Sequence, residues 1–381
     1  MDILIIGNGF DLAHGLKTSY KHFLDFCKEQ NNKRISMAVN YGTTFIDNIW
    51  VRHFLMREKQ LGNTWIDLEQ EIYKVIKNVS FSINHLSSKK PNFKYPVMFS
   101  IRKDVLEFDF NKIFDYMKPV NNMQTIGKKG YIEIETNDFS CLYYHIENSD
   151  GLIHLLYDQL REFTKVFEQY LINEVMAKLV SDDKYILTLP TSNTKLYVLS
   201  FNYTDTCFKL YDHSRNPYTE YSIETIFVHG KAQNSNDCEL VLGTYSFNNH
   251  ESKVASELFI PKAFNIFKKH YQRHKYGTIE PYQDLLKKLI NQEQKIKPVF
   301  HIIGHSLDET DHKILRHILT ANKNATIKIY YHSEDAQEKM MRNIDDIIGE
   351  EEVMTRVQLI DQHDEKRGLL RPVKKKVLIS S

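Results

Sequence analysis

The chain has 381 residues, 42% hydrophobic and 26% charged, the composition of a folded globular protein of two or three lobes. A formal net charge of +1 supplies no global field for nucleic acid or an anionic membrane, and 14 Gly and 9 Pro against 12% aromatics exclude long disordered stretches. Its four cysteines, Cys27, Cys141, Cys207 and Cys238, form no Cys-x-x-Cys pair, which excludes a zinc ribbon and points to reduced packing residues.

The first element is Ile3-Leu4-Ile5-Ile6, a short apolar run suited to a strand buried on both faces. It leads directly into Gly7-Asn8-Gly9-Phe10-Asp11, where two glycines let the backbone turn tightly and approach a ligand. A helix is expected to follow, from about Asp11 or Lys17 through Phe26, with its first amides facing the turn. Parallel α/β folds hold nucleotide phosphates in this way. Leu12 stands where the dehydrogenase fingerprint has its third glycine, so this is not the usual dehydrogenase loop. An ordinary strand-to-helix turn, with Asp11 as a helix cap, is the plainer alternative. With the strand opening the sequence, no cleavable leader is expected, and no apolar run reaches the ~18–20 residues that span a bilayer. The expected location is cytoplasmic.

The pattern changes between residues 31 and 189. Asn63-Thr64 precedes a helix with Trp65, Leu68, Ile72 and Val75 on one face. Asp67 and Glu69 beside Trp65 read as solvated or salt-bridged carboxylates next to a packing anchor. Residues 87–95 are polar, contain Pro91 and read as a loop. Leu152, Leu156, Leu160, Phe163, Phe167 and Leu171 then recur at helical spacing after Asp150. The expectation is a mostly helical insertion over 31–189, splitting an α/β domain built from 1–30 and 190–381.

Strand signals resume at 196–201, 223–228, 240–242, 299–303 and 327–331, with helices expected over 311–319 and 336–348. Such alternation implies a parallel, Rossmann-like sheet with helices on its faces. Residues 256–276 form a basic aromatic helix with Lys262, Lys268, Lys269, Arg273 and Lys275 among Phe264, Phe267 and Tyr271. Its expected role is an amphipathic helix with a solvated face, nucleic-acid binding being the lesser reading. Lys374-Lys375-Lys376 reads as a charged edge strand.

The later strands end in polar or small residues, where open α/β sheets place their ligands. These ends are Asn202-Tyr203-Thr204-Asp205, His229-Gly230, Gly304-His305-Ser306-Leu307 and His332-Ser333-Glu334-Asp335. With the opening glycine loop they outline a single cleft. Taken singly, Asn202 suits a helix cap and His229 a turn. Gly304-His305-Ser306-Leu307-Asp308 lacks the final glycine of a nucleophile elbow, which counts against a serine hydrolase.

The opening block from Ile5 to Tyr20 resembles the bacterial AbiH family, associated with abortive infection by bacteriophage. So do Trp65-Ile66-Asp67-Leu68-Glu69, Ser200-Phe201-Asn202-Tyr203-Thr204, Val228-His229-Gly230 and Gly304-His305-Ser306-Leu307, in the family's order. More distantly, the same blocks are similar to the sirtuin-type NAD-binding fold. Gly7, Gly9, Gly15 and Leu16 match its glycine loop, Ser200 to Thr204 its catalytic block, and His229-Gly230 its catalytic His-Gly. Departures are Asp11 for a serine, Phe201 for Gln and Thr204 for Asp, with Asp205 one place late. No acyl-lysine groove has a counterpart, which disfavours protein deacylation.

The resemblance implies an anti-phage effector that binds NAD and hydrolyses it to nicotinamide and ADP-ribose, with no prosthetic group and no metal. Asn202 would orient the ribose hydroxyls or the attacking water. His229, with an unperturbed pKa near ~6.5, would be the general base, oriented by Asp205. Gly7, Asn8 and Gly9 would hold the diphosphate through backbone amides, flanked by Phe10 and Asp11. Ser306 would donate to a ribose or phosphate oxygen, beside Gly304 and His305. A phage-derived trigger and self-association are the expected partners. The alternative is a nucleotide sensor that binds without turnover, with nuclease as a lesser reading.

Overall fold

The computed structural model describes residues 1–36, 48–61, 67–89, 97–102, 117–119, 131–135, 140–146, 149–179, 185–189, 195–216, 219–235, 237–244, 262–291, 297–364 and 366–372. The strands in chain order are β1 (Asp2–Ile6), β2 (Val97–Arg102), β3 (Met117–Pro119), β4 (Tyr131–Glu135), β5 (Ser140–Ile146) and β6 (Tyr185–Leu187). They continue with β7 (Lys195–Ser200), β8 (Ser222–Phe227), β9 (Val299–Ile303), β10 (Thr326–Tyr331), β11 (Val357–Asp361) and β12 (Leu370–Pro372). The helices are α1 (Asn8–Ala13), α2 (Tyr20–Ser36), α3 (Ile49–Gln60), α4 (Leu68–Lys89), α5 (Ser149–Tyr170) and α6 (Thr206–Tyr211). After them come α7 (Lys269–Lys275), α8 (Ile279–Asn291), α9 (His312–Thr320), α10 (Glu334–Ile348) and α11 (Glu350–Arg356).

Two compact units divide the chain. The first comprises Met1–Ser19, Glu168–Val241 and Arg273–Ser381; the second comprises Tyr20–Phe167 and Leu242–Gln272. In the first, six parallel strands stand in the order β11-β10-β9-β1-β7-β8. Numbered by their own succession along the chain, these strands read 6-5-4-1-2-3, the doubly wound Rossmann-like arrangement. The chain therefore builds outward from β1 on one side, then crosses over and builds outward on the other. That reversal puts a crevice between the carboxyl ends of β1 and β9, where such sheets take ligands.

β1 shows why the opening run must be wholly apolar. Ile3 and Ile5 face one core, with Phe300, Ile302, Ile327 and Ile329 of the sheet against Leu285 and Leu289 of α8, Leu315 and Ile318 of α9, and Ile344 of α10. Leu4 and Ile6 face the other, with Val198, Leu210, Tyr211, Leu369 and Leu370. Each of these aliphatic side chains contributes about 1.5–3 kcal/mol by leaving water. The strands expected at 196–201, 223–228, 299–303 and 327–331 lie within a residue of β7, β8, β9 and β10. Residues 240–242 are buried but form no strand; the Val241 N–H donates to the His229 carbonyl outside any ladder. β11 had no counterpart in the sequence reading. The first helix begins at Asn8 rather than at Asp11 or Lys17, with Gly7 as its extended N-cap residue.

The second unit holds α2 to α5 in part or whole, and a four-stranded antiparallel sheet of order β3-β2-β5-β4. That sheet was not anticipated in the expected helical insertion. Leu68, Ile72 and Val75 of α4 are buried, as are Leu152, Leu156, Leu160, Phe163 and Phe167 of α5. α4 continues to Lys89, so 87–89 are helical and not a loop; 90–96, Trp65 and the lysines 374–376 lie outside the described residues. Phe23, Phe54, Phe163 and Phe167 form an aromatic core with ring centroids 5.0–5.3 Å apart. Glu69 is ion-paired to Lys269 at 2.6 Å, with both side chains largely sequestered from solvent. Cys27, Cys207 and Cys238 are buried. No helix among the described residues is long and apolar enough to cross a membrane.

Candidate functional site

The loops that leave β1 and β9 interlock. The Gly9 N–H donates to the Gly304 carbonyl at 2.8 Å, the Gly7 N–H to the Ile303 carbonyl at 3.4 Å and the Phe10 N–H to the Gly7 carbonyl at 2.9 Å. Gly304 has φ +65°, and a Cβ there would lie 2.1 Å from the Phe10 nitrogen. A Cβ on Gly9 would lie 2.8 Å from the Gly304 Cα. The two glycines therefore permit one backbone to pass against another. The Gly7 and Gly9 amides that were expected to cradle a diphosphate are used inside the protein. Asn8 is exposed at the helix start, its Oδ1 accepting from the Thr18 hydroxyl at 2.6 Å.

Behind this lock lies a buried polar chain. The Thr206 hydroxyl donates to the Thr204 hydroxyl at 3.0 Å, and Thr204 donates to Asp11 Oδ2 at 2.5 Å. Asp11 is 1% exposed and its Oδ1 has no hydrogen-bond partner among the described residues. Burial pushes its pKa from 3.8 up to about 7; hydrogen bonds from Thr204, Thr206 and Asn202 oppose the rise and the Asp205 charge adds to it. Asn202 extends from the end of β7 and donates from Nδ2 to the Gly7 carbonyl at 2.9 Å. It therefore ties the β7 end to the β1 loop, rather than capping a helix.

The side chains after β8 and β9 meet around Asp311. Arg273 donates to His229 Nδ1 at 3.2 Å. A guanidinium only donates, so Nδ1 accepts and the proton of neutral His229 sits on Nε2. That Nε2 is 3.2 Å from Asp311 Oδ1. Arg273 itself approaches the same oxygen at 3.6 Å, and His305 Nε2 approaches Asp311 Oδ2 at 3.8 Å. His305 Nδ1 accepts from the Leu307 N–H at 2.9 Å, which fixes its tautomer in the same way. Leu307 is buried with φ +58°, the non-glycine residue of left-handed backbone among those described. Strain of that kind concentrates at sites whose surroundings over-determine them. Phe201 presses edge-on against both rings, at 5.6 Å from His229 and 4.3 Å from His305.

Asn202, His229, His305 and the glycine pair are thus brought together, while two expected residues play other parts. Asp205 does not orient His229; it is ion-paired to Lys209 at 3.2 Å and Lys231 at 3.1 Å. Asp311 holds the position beside His229 instead. Ser306 is exposed, its carbonyl accepting from Asn343 at 2.9 Å, and its hydroxyl bonds Asp308. Burial would raise the Asp308 pKa, yet Lys339 and Ser306 together hold it below the usual carboxylate range.

Sequence reasoning missed Asp311 and Arg273. Arg273 was expected on a solvated helix face, yet it is 6% exposed, and Lys269, about one turn before it, is 2% exposed. The available signal was position: Asp311 closes the polar loop that opens at Gly304. Among the described residues, no three His, Cys, Asp or Glu side chains are placed to hold a metal ion.

No curated protein matches this chain. The model of a family described as bacteriophage abortive infection AbiH matches residues 3–332, which include the glycine lock, Asn202, His229, Arg273, His305 and Asp311. The chain belongs to the bacteriophage abortive infection AbiH family.

Proposed function

We propose that the abortive-infection role rests on hydrolysis of NAD at its nicotinamide–ribose bond, in the cleft around Asp311, His229 and Arg273. The carrying observation is the Asp311–His229–Arg273 contact at the carboxyl ends of a doubly wound sheet. Nicotinamide in NAD is a cationic leaving group, so the site needs to stabilise an oxocarbenium-like centre and deliver water to it. Arg273 engages His229 Nδ1. A diphosphate that takes the guanidinium would release Nδ1 to accept a proton from water. The water oxygen then bonds to the ribose C1′ as the C1′–N bond breaks, and its electron pair returns to the pyridine ring as neutral nicotinamide. Asp311 steadies the resulting imidazolium through Nε2–H, the logic of an acid–histidine pair. Asn202 keeps the β1 loop in place, and Ser306 at the rim donates to a ribose or phosphate oxygen.

A lethal activity has to be held off before infection. The Arg273 contact supplies a hold within the site, on which a phage-derived trigger or self-association would act.

The engaged amides of Gly7 and Gly9 and the two occupied nitrogens of His229 favour a second reading, a nucleotide sensor that binds without turnover. Chromatography of NAD incubated with purified protein separates the two. Nicotinamide and ADP-ribose from wild type, lost in Asp311→Asn and His229→Ala, are the expected result. Undiminished rates in both variants would refute the mechanism. Saturable NAD binding without product, in the presence of infected-cell lysate, would establish the sensor.

A further inference from the structure

A second recess lies on the first unit, over the face of β10 and β11 away from the α9–α10 core. It is a cleft of about 450 Å³, within the range of about 300–1,000 Å³ for small-molecule sites. Lys328, Lys366 and Arg367 line it, and no carboxylate does. Tyr330 and Ile360 form its apolar wall; they are 3% and 6% exposed and face each other across the β10–β11 pairing.

Three features make this recess more than a charged surface. The first is Lys328, half-buried on β10, whose ammonium makes no ion pair or hydrogen bond among the described residues. The second is the turn that presents the other two cations. Asp364 Oδ1 accepts from the Lys366 and Arg367 amides at 2.8 and 3.0 Å, and its Oδ2 accepts from Arg367 Nε at 2.8 Å. One carboxylate thus sets the turn and engages one donor of the Arg367 fork, which has five. The third is the fixed wall. Neutral His301 donates from Nε2 to Asp2 at 3.1 Å, so its Nδ1 accepts from the Tyr330 hydroxyl at 3.1 Å. Tyr330 is held from behind and cannot swing to close the recess.

We infer that this recess binds an organic phosphate of about mononucleotide size, its phosphoryl group against Lys328, Lys366 and Arg367 and its body against Tyr330 and Ile360. A phosphoryl dianion matches three converging cations, and charge-assisted hydrogen bonds are the strong kind. The site is separate from the cleft around Asp311, so it stands whether or not that cleft hydrolyses NAD.

Calorimetric titration of the full chain with AMP tests the assignment, with inorganic phosphate and adenosine as further probes. Wild type should bind AMP saturably, inorganic phosphate should compete, and adenosine alone should bind at least about tenfold more weakly. Lys328→Met should weaken AMP about tenfold or more, and Lys366→Gln, on an exposed turn, should weaken it several-fold. No saturable binding of AMP or phosphate would overturn the assignment. So would AMP binding undiminished in both lysine variants, since that places the ligand outside this recess.

Discussion

Asp11→Asn tests the buried polar chain through the pH dependence of stability. The folded carboxyl titrates near about 7, against 3.8 for the free group, because burial disfavours its charge. Between those values the folded state holds a proton that the unfolded chain has released, so stability falls as pH rises through the window. Below 3.8 both states are protonated and the penalty vanishes; above 7 it is complete, at about 4 kcal/mol for the full shift. Raising the pH from about 5.5 to 8.5 should cost the wild type roughly 2 kcal/mol through this group alone. Asparagine fills the same space and cannot ionise, so the variant lacks that slope. Its amide placed at the unpartnered Oδ1 position costs about 1–3 kcal/mol at every pH, which offsets the curve without tilting it. Urea denaturation of both proteins across this range measures the difference directly. Parallel curves, within about 0.5 kcal/mol, would refute a protonated Asp11 and with it the argument from burial.

Gly304→Ala should destabilise by about 2–4 kcal/mol, combining left-handed backbone with a Cβ forced against Phe10. Gly15 has φ +75° but open space around its Cα, so Gly15→Ala should cost only about 1 kcal/mol; equal losses in thermal melts would disprove the lock. Glu69→Gln should cost up to about 3–5 kcal/mol by removing the carboxylate charge beside the buried Lys269 ammonium, and Lys269→Met in that background should restore much of it. A loss under about 1 kcal/mol in denaturant titrations would mean Lys269 reaches water in the variant. Asp205→Asn, which removes the ion pairs to Lys209 and Lys231, should leave NAD turnover within a few-fold of wild type, whereas Asp311→Asn should abolish it. Equal loss in a nicotinamide-release assay would return the orienting role to Asp205.

Strands with unbroken apolar character were legible because burial on both faces leaves no other composition; the run from Ile3 to Ile6 of β1 is the clearest case. Their order across the sheet was not, since periodicity carries no information about which strands pair. β4 was overlooked although Tyr131-Ile132-Glu133-Ile134-Glu135 alternates apolar and charged residues, the period of a half-buried strand. The site divides in the same way. Asn202, His229 and His305 sit directly at strand ends, so a local rule finds them. Arg273 reaches His229 from a basic stretch 44 residues on, and Asp311 arrives from the start of a helix. Nothing local distinguishes either from an ordinary surface charge. The glycine pair was found for a mistaken physical reason: close approach was correct, but the approaching group is the backbone of Gly304.

The central place of β1 also governs how the protein is made. Residues 2–6 are synthesised well before their hydrogen-bonding partners, residues 196–200 and 299–303. At about 5–20 residues per second, roughly 10–40 s of translation pass before even the first of these is synthesised. An apolar strand with no partner for that long is a natural client for a chaperone. In a chain ended before residue 304 the loop after β1 has no Gly304 to close upon, and His229 has no Asp311 beside it. A chain abandoned before that point is a fragment that lacks the parts for the proposed chemistry.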